Sequence, residues 1–146
     1  MIIYNGALAA EATVLKVTNR SYQYGDALFE TIKWSRGKAL FWKDHYDRLM
    51  QSMALLKMEL PLNFSAAYLH DLMHQLVQQN NCETSARIRL QIFRETGGYY
   101  IPATNVLGFS ITAAALADSN YIHNNKPLHL GIYNDSYKTA TSLSSI

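Results

Sequence analysis

The chain predicts an α+β fold: a mixed or antiparallel sheet with two helices against it. Three observations carry that expectation. Residues 85–94 and 106–113 alternate apolar and polar side chains, the period of a strand with one buried face. Residues 46–56 and 64–77 instead repeat their apolar positions at helical spacing. Residues 28–34 lie between Gly25-Asp26 and Ser35-Arg36-Gly37-Lys38, which makes them the first arm of a hairpin.

In chain order, Ile2-Ile3-Tyr4-Asn5-Gly6 reads as a short strand and a turn, and residues 13–17 as a second apolar piece. A polar loop over residues 19–26 leads into the strand at 28–34, and residues 39–42 return as its partner. The first helix follows, with Tyr46, Leu49, Met50, Met53 and Leu56 on one side. Asp44 with Arg48, and Lys43 with Asp47, stand at i,i+4, each pair worth about 0.2–0.5 kcal/mol. His45 and Arg48 share an adjoining face, a plausible scaffold for an anion. Pro61 and Asn63 mark the gap before the second helix, whose apolar residues include Phe64, Tyr68, Leu72, Met73, Leu76 and Val77. His70 and His74 sit one turn apart on it. Without a carboxylate at metalloprotease spacing, they read as a solvated helix face.

In the strand at 85–94, Ile88, Leu90 and Ile92 share one face, and Arg87, Arg89 and Gln91 the other. Two guanidinium groups side by side need water or an anion across from them; the residue pattern favours a face open to water. Thr96-Gly97-Gly98 opens a loop, residues 118–127 form a polar linker, and Leu128, Leu130 and Ile132 begin a further strand.

Bulk properties narrow the function classes. With 49% hydrophobic and 16% charged residues, the 146-residue chain has the makings of a real core and none of the signature of disorder. A net charge of +2, with scattered basic residues, argues against nucleic acid as a partner. No apolar run reaches the length of a membrane span, and no secretory signal opens the chain. The lone Cys82 fits a reducing compartment, so a cytoplasmic protein with no membrane partner is expected.

One constellation goes further. G-D-A-L-F-E-T-I (residues 25–32), a glycine-containing turn, and H-Y-D-R-L (residues 45–49) stand in an order and spacing that resembles the opening of the class IV aminotransferases. That family includes branched-chain and D-amino acid aminotransferases and 4-amino-4-deoxychorismate lyase, all dependent on pyridoxal 5'-phosphate (PLP). A-R-I-R-L-Q-I-F-R (residues 86–94) is similar to a further family run, with Arg87 in place of a tyrosine. That departure puts branched-chain specificity in doubt.

The resemblance implies roles for particular residues. Arg48 takes the phosphate-contacting position of the cofactor site, where the planar guanidinium suits bidentate hydrogen bonding; the residue pattern alone favours a surface arginine paired with Asp44. Tyr24 and Phe29 take aromatic positions on the substrate side, against ordinary core packing, and Arg89 takes the position that borders the substrate pocket. Leu143-Ser144-Ser145-Ile146 is similar to the run that directly precedes the Schiff-base lysine, so that lysine is expected just after Ile146 and no catalytic residue within the chain. Lys138 is a weaker rival, because it precedes that run.

The expected organisation is therefore a small domain at residues 1–117, a linker at 118–127, and the start of a second domain at 128–146. The expected function is PLP-dependent amino transfer between amino acids and 2-oxo acids by a homodimer of the full-length protein. A lyase of the same family, and a non-catalytic α+β binding module, are the alternatives. No metal is expected.

Overall fold

A computed structural model describes residues 1–10, 16–121, 123, 125–132 and 134. The chain runs β1 (Ile2–Tyr4), β2 (Ala7–Ala9), α1 (Arg20–Tyr24), β3 (Ala27–Ser35), β4 (Lys38–Ala39), α2 (Trp42–Leu55), α3 (Ala66–Gln79), β5 (Ser85–Arg94) and β6 (Leu107–Ala115). The six strands form one antiparallel sheet in the order β2-β1-β6-β5-β3-β4. The α+β class expected from the sequence is the class observed.

The sheet's middle is set by the alternation in β5. Ile88, Leu90 and Ile92 are fully buried and meet Ile32, Glu30 and Leu28 of β3 on one side, and Ala113, Ile111 and Phe109 of β6 on the other. That helix-covered face, with Leu69, Met73, Leu76 and Val77 of α3 and Leu49 and Met53 of α2, forms the core. Each such side chain contributes about 1.5–3 kcal/mol through burial. The opposite, open face carries Phe29, Thr31 and Lys33 beside Gln91, Arg89 and Arg87, in that register.

Four local expectations change. The return arm of the hairpin is only two residues long: β4 pairs Ala39 with Trp34 and Lys38 with Ser35, and the chain then leaves the sheet. Phe41 adopts a left-handed conformation (φ 54), and Trp42 begins α2, its indole donating to the Ala66 carbonyl at 3.1 Å. The loop before β3 contains α1, capped by Asn19, whose side chain accepts from the Ser21 amide, and ended by Gly25 in the left-handed region. His70 and His74 do not simply face water. Their rings lie 5.3 and 5.7 Å from that of Trp34, His70 half-buried and His74 exposed. Leu128, Leu130 and Ile132 form no strand and are 82–95% exposed, because no strand among the described residues pairs with them.

Of the second apolar piece at 13–17, residues 13–15 lie outside the described residues, as do Lys138 and the run at 143–146. Among the described residues, no helix is long and apolar enough to cross a membrane.

Candidate functional site

Because β4 reaches only as far as Trp34, the outer edge of β3 is uncovered by a strand over residues 27–32. An exposed edge presents both faces of a strand at once. The cleft found there, about 390 Å³, is accordingly lined by Phe29 and Thr31 of the open face, by Leu28 and Glu30 of the helix face, and by His45 and Arg48 of α2.

Helix α2 brings His45 and Arg48 to this edge because they are three residues apart, one turn along a common face. Both reach the carboxylate of Glu30, which is 8% exposed as a side chain. Arg48 donates from Nε to Oε1 at 2.8 Å and from Nη2 to Oε2 at 2.5 Å, a two-point contact that fixes the guanidinium plane. His45 Nδ1 lies 2.7 Å from Oε2 and 3.0 Å from Arg48 Nη2. Half of the Arg48 side chain remains exposed, and its Nη1 makes no hydrogen bond among the described residues. The hydrogen bond to Glu30 pushes the Arg48 pKa still higher, so the group is a permanent cation. The alternative of a surface pair with Asp44 is not what forms: the arginine turns inward to Glu30, and Asp44 acts on it only as a nearby charge. Lys43 does pair with Asp47.

Phe29 is 56% exposed and so is no core residue. Its ring lies under the Arg89 guanidinium, which stands 3.8 Å from the ring centroid. The two residues are diagonal neighbours on paired strands, since Phe29 opposes Gln91 and Arg89 opposes Thr31. Phe29, stacked under Arg89, also lines the cleft that holds Arg48. Tyr24 is not brought to this cleft. It closes α1 over Arg20, 4.8 Å from ring centroid to guanidinium carbon, and its ring is 6.4 Å from that of Tyr100. Among the described residues no cluster of three His, Cys, Asp or Glu side chains is arranged to hold a metal.

Two features escape a reading of the sequence for motifs. One is Glu30, although a signal was present: it is the single charged residue in the buried phase of β3, between Leu28 and Ile32. The other is Asp26, which holds two buried arginines. Arg20 donates from Nε to Oδ2 at 2.8 Å, and Arg94 donates from Nη1 to Oδ1. Arg20 Nη1 also reaches the carbonyls of Gly97 and Tyr99 at 3.1 and 2.7 Å, and Arg94 reaches that of Leu56. This network ties the loop after β5 to the start of β3, and so fixes the end of the strand that carries Phe29 and Glu30.

With this geometry in place, comparison with known proteins is informative. Residues 27–145 match the family described as amino-transferase class IV. The D-alanine aminotransferase of Listeria monocytogenes (strain 10403S) is 30% identical over 118 residues, which are 79% of this chain and 40% of that protein. That of Listeria innocua is 36% identical over 97 residues, 66% of this chain and 31% of its relative. Among solved structures, the branched-chain amino acid aminotransferase of Escherichia coli superposes with a TM-score of 0.68 at 25% identity, covering 79% of this chain and 39% of that one. The PLP-form of the Thermobaculum terrenum branched-chain enzyme gives 0.65 at 18% identity, with 80% and 40% covered, a likeness of fold alone. The chain thus spans about two fifths or less of the length of these relatives.

Proposed function

This chain belongs to the class IV aminotransferase family, and we propose that it forms part of a PLP-dependent enzyme that moves an amino group between an amino acid and a 2-oxo acid. The observation that carries the proposal is the Arg48 guanidinium, held by Glu30 through Nε and Nη2 in a cleft beside Phe29, with no hydrogen bond to Nη1 among the described residues.

The residues present fit the cofactor's phosphate. A dianion needs fixed N–H donors and a positive charge, and Arg48 offers both at a partly open edge. When bound, PLP supplies an electron sink for breaking bonds at the amino acid's α-carbon. The chain's own contribution is binding and orientation. Arg48 anchors the phosphate, Phe29 forms an apolar wall between the edge and the open face, and Arg89 waits on that face for a substrate carboxylate. Tyr24, away from the cleft, has no part in this assignment.

The small domain extends to about residue 117, with residues 118–127 a linker and 128–146 the start of a second domain. The first two bounds are supported by the end of β6 at Ala115 and by the lack of regular structure in the described residues of 118–127; the third rests on the family. PLP chemistry also requires a lysine, and none is among the side chains that line this cleft. The working unit is a homodimer in the cytoplasm, a reading that rests on the family and, for location, on the single buried Cys82.

The test is to purify the full-length protein, add PLP, and record the visible absorbance before and after borohydride reduction. A yellow protein whose cofactor becomes covalently fixed, and which transfers amino groups across a panel of amino acids, is the expected result. A colourless protein that takes up no PLP overturns the reading.

A further inference from the structure

We infer that Glu30 is a positioning residue that acts through Arg48: its buried carboxylate presets the guanidinium so that Nη1 faces the cofactor's phosphate. The inference rests on the phosphate role of Arg48 and goes beyond it, because Glu30 touches neither cofactor nor substrate in this assignment.

Stability does not account for a carboxylate in this place. Glu30 occupies the core phase of β3, with Leu28 and Ile32 buried on either side of it along the strand. Taking a carboxylate out of water is costly, and replacing a buried ion pair by apolar groups of similar size is often neutral or stabilising. Its partner is half exposed, which weakens the attraction further. What the pair does provide is direction. A free arginine samples many rotamers, whereas Nε and Nη2 bonded in parallel to one carboxylate leave a single plane and a single free edge. Both partners stand on rigid elements, the centre of β3 and the second turn of α2. His45 Nδ1 meets the same oxygen, Oε2, at 2.7 Å and lies 3.0 Å from Arg48 Nη2, which closes a compact triangle around that end of the carboxylate.

Glu30 also carries a charge of the wrong sign for a phosphate site. Its two effects therefore oppose each other. As a charge it repels the phosphate; as a clamp it favours binding by ordering Arg48 beforehand. Removing the charge separates them, since the two effects predict changes of opposite sign.

The experiment uses the full-length apo-protein, titrated with PLP and with pyridoxal, which lacks the phosphate. The quantity read is the ratio of their dissociation constants, followed by absorbance. Glu30→Gln should lower the preference for PLP by roughly tenfold, the loss expected for a disordered charge-assisted hydrogen bond. Pyridoxal affinity should stay within about twofold, which shows that the fold is intact. Glu30→Asp, whose carboxylate is drawn back by one methylene while the charge is kept, should show a similar loss. It stands in should the glutamine variant fail to fold. In an Arg48→Ala background, Glu30→Gln should add nothing further, because it acts through the residue already removed. An unchanged or tighter PLP preference in Glu30→Gln, or in Glu30→Asp where that variant stands in, overturns the inference. A further loss in the Arg48→Ala background does so as well. If Arg48→Ala itself leaves the preference untouched, the phosphate role of Arg48 fails, and the positioning role of Glu30 falls with it.

Discussion

The guanidinium of Arg48 and the carboxylate of Glu30 meet edge to edge, with Nε to Oε1 at 2.8 Å and Nη2 to Oε2 at 2.5 Å. Arg48 is thereby both a partner in an ion pair and a donor with an edge to spare, and its substitution tests which matters. Arg48→Ala should weaken PLP binding by about 1.5–3 kcal/mol, the range for hydrogen bonds to charged groups, or roughly ten- to a hundredfold in Kd. Arg48→Lys keeps the charge without the fork and should recover only part of that. Equilibrium titration of each variant with PLP is the check, and an alanine variant that binds as well as the parent removes Arg48 from the site.

Asp26 makes a different kind of prediction, about stability alone. Its carboxylate separates the guanidinium groups of Arg20 and Arg94, both buried. Asp26→Ala leaves two buried like charges facing each other, and breaking a buried pair by removing one partner costs about 3–5 kcal/mol. The loop at Gly97 and Tyr99 loses its tie at the same time, since Arg20 is held in place by Asp26. Chemical denaturation should show a loss of unfolding free energy of that size; a loss below about 1 kcal/mol would falsify the view that this network fastens the loop to the sheet.

Much of the fold was legible because it rests on periodicity. β5 and β6 alternate in sequence, and α2 and α3 each present one apolar stripe, although Leu107–Ile111 of β6 is buried on both faces, Ser110 included. α1 was not legible, since five residues are too few to show a helical period and the helix is defined by its caps at Asn19 and Gly25. The shortness of β4 was hidden for a related reason: Ala39, Leu40, Phe41 and Trp42 are apolar throughout, and only the packing of Trp42 on the second helix decides that the strand stops. At the site, Arg48 and Arg89 could be nominated from their runs, but the partner of Arg48 could not. Asp44 is its neighbour in sequence, whereas Glu30 becomes its neighbour only when α2 folds over β3. Long-range ion pairs leave no local pattern; the one available clue was an acidic residue in an apolar phase.

Cys82 gives a prediction about pH. Burial, and then the charge of Glu83, push its thiol pKa above the ordinary range. The folded state thus holds this proton more tightly than the unfolded state does. Cys82 contributes stability that is fully present below the unfolded thiol's pKa, about 8.5, and is lost as pH rises through the higher folded value. Since the thiolate is the reactive form, Cys82 in the native protein at pH 8 should react with a thiol reagent far more slowly than in denaturant. Equal rates in the two states would place the thiol at the surface.

Arg89 carries the last prediction, because two roles for it differ in what they leave unchanged. It stands on the open face of β5, half-buried, with its guanidinium 3.8 Å above the Phe29 ring. If packing on Phe29 is its whole purpose, Arg89→Ala loses a cation–π contact worth about 0.5–1 kcal/mol and alters nothing else. If Phe29 instead holds the guanidinium ready for a substrate carboxylate, the same change should cost about 1.5–3 kcal/mol of transition-state binding. In kcat/KM that is roughly a ten- to hundredfold fall, with PLP affinity unaltered and stability lowered only by the lost contact. Arg87 provides the comparison. It lies on the same face two residues earlier, opposite Lys33, and is exposed without stacking on Phe29. Arg87→Ala should therefore have the smaller effect. Steady-state kinetics over mono- and dicarboxylic amino acids read both variants, and a kcat/KM for Arg89→Ala that matches the parent across the panel assigns the residue to packing alone.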